Sequence, residues 1–357
     1  MAGAQWGSSV DIVGSSVIVG AAGRSRTAVY DLNQGDYTAW SVKVTGLADS
    51  ICLAHLGSSV AIAGTTAVLG APDYGNRGAI FVYKQIPNAD PSLDPVWELQ
   101  TQIDAPGFQT GDDFGASVAI NGDYLIVGAP GRNGDQGGAY IFHRLNGQWT
   151  LQKELNGNVA GERSGMSVDI GAEYAVAGAP GGTNPSVYLY RKLPGSWSSD
   201  ATLTTPQSGN GFGAAVHLDS SNLFVGAPAD STRPGEVWIY GLAPHAQNVS
   251  SNVSSGPTAL PATGGANGDL FGASLDGSGS YLVIGAPGAA SQTGAAYVFQ
   301  RPTEATPWVQ TLLDYSAGSV SGDRFGSSVA IDGTQIIVGA PGRIQTTGTD
   351  GMTYTQG

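Results

Sequence analysis

The feature that most constrains this chain is a pair of glycine landmarks that recurs seven times from end to end. The first glycine follows an aromatic, leucine or serine residue, at Gly7, Gly57, Gly115, Gly165, Gly213, Gly272 and Gly326. The second glycine comes thirteen residues later and opens a Gly-Ala-Pro step, or Gly-Ala-Ala in the first copy, at Gly20, Gly70, Gly128, Gly178, Gly226, Gly285 and Gly339. A period of roughly fifty residues with one fixed internal spacing is typical of a repeat architecture.

Each copy has the pattern of a small antiparallel sheet. In the third copy two β-rich runs, 117–120 and 124–127, flank Asn121-Gly122-Asp123, and Asn-Gly is a strong hairpin signal. The second run is continuously apolar, which predicts a strand covered on both faces. A third strand follows the Gly-Ala-Pro loop, and a fourth carries Trp97, Trp149 or Trp308. Seven such units without helical periodicity predict an all-β fold, a seven-bladed β-propeller of four-stranded antiparallel blades.

The repeats cover the whole chain, so they predict a single domain spanning 1–357. The predicted blades are 5–47, 54–103, 111–155, 161–203, 210–260, 268–314 and 322–357. The fifth copy lacks an outer strand that carries tryptophan, and its segment 243–267, rich in Pro, Ser and Gly, is expected to be a surface loop. The last copy ends before a fourth strand, so we expect an incomplete last blade within this chain. A three-stranded blade, further chain and a strand donated by another molecule are all open readings.

The motifs Phe-Gly-Ala-Ser-Val-Ala, residues 114–119, and Gly-Ala-Pro resemble the FG-GAP repeats of the integrin alpha-subunit N-terminal propeller. They resemble still more closely the repeats of secreted and surface FG-GAP proteins of microbes and algae. The resemblance covers nearly the whole chain and implies a propeller located outside the cell or at its surface. The family includes adhesion modules and carbohydrate-associated domains, so the resemblance implies a fold more firmly than a function.

Integrin-like repeats often carry an acidic calcium loop, Asp-x-Asp-x-Asp-Gly, in the first hairpin of a blade. No copy here offers three alternating carboxylates in that hairpin, whereas calcium takes six to eight oxygen ligands. We therefore expect no metal site and no cofactor. Asp123, Asp276 and Asp332 are expected to be turn residues that bond to their own backbone.

Composition restricts the partners. A formal charge of −13 argues against nucleic acid and against an anionic membrane surface as general partners. Cys52 is the only cysteine, which excludes an intrachain disulfide and a cysteine-based metal site. No apolar run approaches the roughly 20 residues of a membrane span, so membrane insertion is not expected. Met1-Ala2-Gly3 leads directly into the first repeat, and no signal peptide is expected within this chain.

Catalytic patterns are scarce. The four histidines lack metal-ligand spacing, and His143 and His217 lie on predicted strands as packed or surface residues. A set of acids precedes the first glycine in several copies, at Asp112, Asp113, Glu162, Asp269 and Asp323. These carboxylates are expected to fix the loop that enters each blade, although they could also bind a cation or act as acids. We predict no catalytic residues and no enzymatic activity.

The candidate ligand-binding residues are arginines. In a propeller the loops between strands two and three share one face, here named the loop face, with the segments that enter each blade. The candidates on that face are Arg24, Arg26, Arg77, Arg132, Arg163, Arg233, Arg324 and Arg343, with Tyr74 and Asn133 beside them. The guanidinium fork suits carboxylate, sulfate or phosphate. Alternatively these arginines pair with the acids of the same face, at Asp73, Asp112, Asp135, Asp230, Asp269 and Asp323.

Three functions are consistent with these observations. The leading one is a non-catalytic extracellular binding or adhesion module that contacts an acidic glycan or a protein ligand through the loop face. The second is a structural subunit of a cell-surface filament or matrix, self-associating through the open edge of the last blade. The third, a polysaccharide-active enzyme, lacks an identifiable set of catalytic residues. Asn248 and Asn252 lie in sequons and are predicted glycosylation sites if the protein is secreted by a eukaryote.

Overall fold

The computed structural model describes residues 5–24, 26–31, 55–88, 90, 95–107, 109–205, 210–229, 232–243, 253–303, 306–313, 320–343 and 352–353. Within them, 26 strands form seven antiparallel sheets whose members are consecutive along the chain. Five sheets contain four described strands, and the first and last contain three. The predicted all-β propeller built from antiparallel, four-stranded blades is confirmed.

The strands of the first four sheets follow the repeats in order. The first sheet has β1 (Trp6–Val13), β2 (Ser16–Ala21) and β3 (Arg26–Asp31). The second has β4 (Ser59–Ala63), β5 (Thr66–Ala71), β6 (Ala79–Ile86) and β7 (Val96–Asp104). The third has β8 (Ser117–Asn121), β9 (Tyr124–Gly128), β10 (Gly138–Leu145) and β11 (Gln148–Asn156). The fourth has β12 (Ser167–Ile170), β13 (Tyr174–Ala179), β14 (Ser186–Leu193) and β15 (Ser196–Thr204).

The remaining sheets continue the same order. The fifth has β16 (Ala215–Leu218), β17 (Asn222–Ala227), β18 (Glu236–Leu242) and β19 (Val253–Pro261). The sixth has β20 (Ser274–Ser278), β21 (Tyr281–Ala286), β22 (Ala295–Gln300) and β23 (Val309–Leu313). The seventh has β24 (Ser328–Asp332), β25 (Gln335–Gly339) and β26 (Met352–Thr353).

Helical structure in the described residues is confined to single turns after the second glycine of a repeat. Two are 3-10 turns, Ala22–Arg24 and Tyr74–Asn76, and two are one-turn α segments, α1 (Arg132–Asp135) and α2 (Ala289–Gln292). All four contribute to the loop face. None of the described residues lies in a helix with the length and hydropathy needed to cross a membrane.

The expectation of a surface loop at 243–267 is wrong in part, because residues Val253–Pro261 form the outer strand of the fifth sheet. This strand pairs with β18 through a register that shifts twice, around Gly241. Its serines and glycine have low β propensity, but the exposed edge of β18 supplies backbone partners that outweigh propensity. The predicted sequons at Asn248 and Asn252 lie outside the described residues. So do residues 32–54, 344–351 and 354–357, so the expectation of an incomplete last blade falls partly outside the described residues.

The two glycines of the repeat meet across neighbouring sheets. A Cβ on Gly70 would overlap the carbonyl oxygen of Gly115, the first glycine of the next repeat, and Gly128 stands in the same relation to Gly165. Within one repeat, the Gly115 amide donates to the Gly128 carbonyl at 2.9 Å. The thirteen-residue spacing therefore fixes a hairpin, and the bare glycines let adjacent sheets approach closely.

A serine two residues after the first glycine bonds the sheet to the next one in every repeat except the fifth, which has Ala215 there. Its hydroxyl donates to the carbonyl of the following repeat's first glycine, at 2.7 to 2.9 Å, for Ser9, Ser59, Ser117, Ser167 and Ser274. Ser328 makes the same bond to Gly7, so the seventh sheet lies against the first. Ala330 and Ile337 of the seventh sheet also share a buried cluster with Val17 and Val19 of the first. These contacts join the last described sheet to the first.

The hydrophobic core consists of clusters between sheets. One cluster combines Val68 and Ile80 of the second sheet with Leu125 and Tyr140 of the third. Phe114, which precedes the first glycine, is fully buried there and meets the Tyr140 ring edge-on at 5.4 Å. The first strands of all seven sheets surround an axial channel. The loop face and the channel are consequently the two places where residues from every repeat converge.

Candidate functional site

The loop face is organised by one backbone position, two residues before the first glycine of each repeat. Its occupants, here named the entry ring, are Gln5, His55, Asp113, Arg163, Gly211, Leu270 and Arg324. All have φ between 48° and 69°. Left-handed backbone costs a non-glycine residue on the order of 1 kcal/mol and persists only where the surroundings impose it. The same geometry therefore recurs with a different side chain in almost every repeat.

Hydrogen bonds between neighbouring repeats impose this geometry. The Arg163 amide donates to the Asp135 carbonyl of the preceding loop at 2.9 Å, and the Arg324 amide donates to the Gln292 carbonyl at 3.0 Å. In the second repeat, the Arg77 carbonyl accepts from the Phe114 amide at 3.0 Å. The loop after one sheet and the segment entering the next thus form one rigid unit.

The acids before the first glycine support the loops that enter the blades. Asp112, Asp269 and Asp323 accept backbone amides from Gln109, Ala266 and Val320 at 3.3, 2.7 and 2.9 Å. The Glu162 carboxylate is buried, and it accepts the Asn158 amide and the Tyr188 hydroxyl. These bonds agree with the loop-fixing role expected of this set.

Arg132 forms its hydrogen bonds with the outer strand of its own sheet, β11. Its guanidinium donates to Asn156 at 2.8 Å and to Glu154 at 2.9 Å, and it lies over the Tyr140 ring. Glu154 belongs to the outer strand β11 and is not among the loop-face acids considered as partners. Arg132 is therefore held along the edge of the third sheet.

Arg163 lies between two carboxylates of the loop face. Its Nη2 is 3.8 Å from Asp113 and its Nε is 3.6 Å from Asp135, while 43% of the side chain stays exposed. Burial raises the pKa of Asp113, and the charge of Arg163 opposes that shift. The pairing with Asp135 is the one that the sequence offered as an alternative to ligand binding, and its long distances make it a weak pair.

The other candidates are spread around the face. Arg26, Arg77, Asn133 and Arg324 are exposed, and Arg343 is half-buried. Arg233 borders a small cavity of about 150 Å³ beside Asn210 and Glu236. Tyr74 packs edge-on against Phe81 at 5.4 Å, and the exposed Asp73 carboxylate contacts the His55 ring. The Arg24 side chain and Asp230 lie outside the described part of the chain.

A second converging set lies in the axial channel and was missed from the sequence. It occupies the fourth residue after each first glycine, here named the channel layer, with Asp11, Ala61, Ala119, Asp169, His217, Asp276 and Ala330. The prediction that Asp276 is a turn residue is wrong, because the sixth hairpin turns at Gly279 and Ser280, between β20 and β21. Counting from the first glycine would have aligned Asp276 with Asp11 and Asp169.

The aspartates of the channel layer join neighbouring sheets through backbone amides. Asp11 accepts the Ile62 amide at 2.7 Å, Asp169 the Leu218 amide at 2.7 Å, and Asp276 the Ile331 amide at 2.8 Å. In each case the donor belongs to the next sheet. Burial, followed by the charge of Asp276, raises the pKa of Asp11 to about 8. Burial also raises the pKa of Asp169.

His217 connects two of these aspartates. Its Nδ1 lies 3.1 Å from Asp276 and 3.4 Å from Asp169. Burial alone would lower the pKa of His217, but its hydrogen bond to Asp276 and the charges of Asp276 and Asp169 raise the pKa to about 9. A Cβ on Gly277 would lie 2.9 Å from His217 Nε2, whereas most other repeats have isoleucine at that position. The glycine therefore makes room for the imidazole.

The carboxylates of the channel layer have a structural role, because each accepts a backbone amide of the next sheet. Among the residues that the structure describes, no three His, Cys, Asp or Glu side chains are grouped to hold a metal ion. His217 lies between the sheets as a packed residue, in agreement with the sequence. His143 stacks on Tyr124 with ring centroids 4.3 Å apart.

Comparison with known protein families identifies repeats in this chain. The segments 97–142, 258–299 and 316–355 match the family described as FG-GAP repeat. A search of curated proteins finds no match. The first two matched segments each begin in the outer strand of one sheet and end in the third strand of the next.

Proposed function

The chain is a β-propeller that contains FG-GAP repeats, and from this premise we propose a non-catalytic extracellular binding or adhesion module. Its ligand is an acidic glycan or a carboxylate-bearing protein, contacted through the loop face. The observation that carries this proposal is the entry ring. One rigid, left-handed backbone position recurs in all seven repeats and presents six side chains around the face, since the fifth repeat has Gly211 there.

Preorganisation favours binding because a ligand need not order these loops. Interblade hydrogen bonds already hold the entry ring, so little conformational entropy is lost on contact. Left-handed backbone in non-glycine residues is typical of sites where strain serves a function. An FG-GAP propeller is in general a binding fold, and the loop face is an exposed surface held by hydrogen bonds between repeats.

Arg163 and Arg324 are the proposed centre of the acidic-ligand contact. Both belong to the entry ring, and Arg324 is exposed. The Nε of Arg163 has no hydrogen-bond partner within the described residues, and its two ion pairs are long. A ligand carboxylate could replace these weak pairs with a bidentate one, which is stronger and more directional.

We also propose that the seven sheets are the seven blades of one closed ring. Serine–glycine bonds and the shared clusters between successive sheets support this count, and Ser328 with Gly7 supports closure. Such a ring would place Arg163 and Arg324 on one continuous surface, where a polymeric ligand can reach both.

A glycan array presenting uronate- and sulfate-bearing oligosaccharides tests the proposal at low ionic strength. The Arg163→Ala/Arg324→Ala double variant should lose at least ten-fold in affinity for the strongest hit. The control is Lys84→Ala/Lys153→Ala, which removes two equally positive, exposed side chains from strands β6 and β11. Equal losses in both double variants, or no binding of any acidic probe by the unmodified protein, would refute the proposal.

A further inference from the structure

A cleft lies between the fifth and sixth sheets, at the end of the molecule opposite the loop face. Its volume is about 410 Å³, and its walls include Asn222, Ile239, Ser255, Leu260, Arg301 and Trp308. Asn222 begins β17 and Arg301 follows β22, so both residues lie at the strand ends remote from the Gly-Ala-Pro loops. The cleft has the size of a small-molecule site.

The cleft lies where one position of the repeat carries a short side chain. Nine residues after the first glycine, the third, fourth and sixth repeats carry Tyr124, Tyr174 and Tyr281, the fifth carries Asn222, and the other three carry Ser16, Thr66 and Gln335. Tyr124 fills the corresponding space by meeting Trp197 of the next sheet edge-on at 5.8 Å. Asn222 is shorter and turns toward Asp219, to which its Nδ2 donates at 3.0 Å. The space beside Trp308 is therefore left open.

Arg301 of the sixth repeat has an equivalent residue in the third repeat, Arg144, and the two can be compared directly. Arg144 occupies the same position in the third repeat, and each arginine amide donates at 2.8 Å to the first hairpin, at Asp123 or Ser280. Both guanidinium groups lie over a tryptophan ring, 5.1 Å from Trp149 in β11 and 4.8 Å from Trp308, which directly precedes β23.

The difference is the counter-charge. The Asp123 carboxylate accepts from Arg144 Nε at 2.8 Å, whereas Ser280 offers no carboxylate. Among the described residues, no acid lies within ion-pair distance of Arg301. Stacking on Trp308 holds the guanidinium plane in place, while its hydrogen-bonding fork has no carboxylate partner in that part of the chain.

We propose that this cleft binds one anionic sugar unit of a glycan. Arg301 takes the carboxylate or sulfate ester through its fork, in the role that Asp123 has toward Arg144. Asn222, Ser255 and Thr258 supply hydrogen bonds for the sugar hydroxyls, and Ile239 and Leu260 supply an apolar wall. The site is separate from the loop face and would give the protein a second point of attachment to the same class of polymer.

Ser280→Asp is the decisive variant, because it installs in the sixth repeat the carboxylate that already pairs with arginine in the third. Its matched control is Thr334→Asp, the same hairpin position in the seventh repeat with the same change of charge. Binding would be measured by calorimetry with a tetrasaccharide of galacturonate, with its sulfated, carboxylate-free counterpart, and with inorganic sulfate.

We expect the unmodified protein and Thr334→Asp to bind within two-fold of each other, and Ser280→Asp and Arg301→Ala to bind at least ten-fold more weakly. Preference for the uronate probe would identify a carboxylate ligand, and preference for the sulfated probe a sulfate ester. The series is repeated in the Arg163→Ala/Arg324→Ala background, which removes the proposed loop-face contact. The losses caused by Ser280→Asp and Arg301→Ala should persist there, which separates the cleft from the proposed loop-face function. Undiminished binding by Ser280→Asp, absence of binding to both saccharides, or equal affinity for inorganic sulfate would overturn the proposal.

Discussion

The Ser328 hydroxyl donates a 2.8 Å hydrogen bond to the carbonyl oxygen of Gly7, and so joins residues from opposite ends of the chain. Five other serines make the equivalent bond between consecutive repeats. In the fifth repeat the position holds Ala215, which has no hydroxyl to offer Gly272. The fifth repeat therefore lacks the hydroxyl that the other six repeats use for this bond.

The serine series gives the first prediction. Ser328→Ala should lower the free energy of unfolding by about 1 kcal/mol, the usual net value of such a bond. Ala215→Ser should raise it by a similar amount, because the new hydroxyl faces the Gly272 carbonyl as its equivalents face theirs. Equilibrium denaturation in guanidinium measures both changes. A stabilising Ser328→Ala, or a destabilising Ala215→Ser, would contradict this account of the closure.

The second prediction concerns the close approach of the glycines. Gly339→Ala places a Cβ against the Gly7 carbonyl oxygen and the Ser328 hydroxyl, both of which are fixed by other contacts. We expect a loss of about 2–3 kcal/mol, as for overpacking of a rigid interface. Gly256→Ala, whose Cβ would meet nothing within 4 Å, is the control and should change stability little. Equal effects in thermal denaturation would show that the glycine contact is unimportant.

The third prediction concerns His217 and Gly277. Gly277→Ala should destabilise the protein by about 1–3 kcal/mol, because the new methyl group crowds the imidazole. The double variant His217→Ala/Gly277→Ile recreates the Ala61 and Ile120 pair found between the second and third sheets. It should recover stability relative to Gly277→Ala alone. If denaturant titrations show no such recovery, His217 contributes more to the free energy of unfolding than an isoleucine at position 277 packed against alanine does.

The fourth prediction is a pH dependence. The pKa of Asp11 rises from 3.8 to about 8 on folding, and that of His217 rises from 6.5 to about 9. In both cases the folded state binds more protons than the unfolded state between the two values. Stability from these groups is therefore complete below the unfolded pKa and is lost as pH rises, between about 4 and 8 for Asp11 and about 6.5 and 9 for His217.

Melting temperatures at pH 5, 7 and 9 check this dependence. The decline between pH 5 and 8 should be shallower in Asp11→Asn, which cannot ionise but keeps an oxygen for the Ile62 amide. His217 faces Asp169, Asp276 and Asp219, so the decline above pH 8 should remain in that variant. A melting temperature that rises from pH 5 to pH 9 would reverse the sign and exclude this assignment.

The fold could be predicted from the sequence because the thirteen-residue glycine spacing is set by the geometry of the first hairpin. The first hairpin of the third repeat lies where Asn121-Gly122-Asp123 predicts it, between β8 and β9. In the sixth, Gly277 and Gly279 both allow a turn, and only the register shared by all copies selects Gly279. The same register predicts that Asp11, Asp169 and Asp276 occupy equivalent positions.

The sites were less accessible because side-chain partners depend on distances across sheets. Nothing in the sequence connects Arg132 with Glu154 on a neighbouring strand, or shows that Asn222 leaves a gap where Tyr124 fills one. The contrast between Arg144 with Asp123 and Arg301 with Ser280 is visible in the aligned repeats. Only the structure shows that both guanidinium groups lie over tryptophan rings, Trp149 and Trp308, and that they differ in having a carboxylate partner.

The contact between Gly128 and Gly165 has a consequence for how such a protein can change in size. A matched repeat such as 97–142 runs from the outer strand of one sheet to the third strand of the next, so the matched repeat and the sheet are out of phase. Duplicating or deleting one whole unit would add or remove a complete junction and leave every remaining junction with its original partners. The number of sheets could then vary in evolution while the contacts between neighbouring sheets stay the same. The exception is the junction between the fifth and sixth sheets, where His217 packs against Gly277.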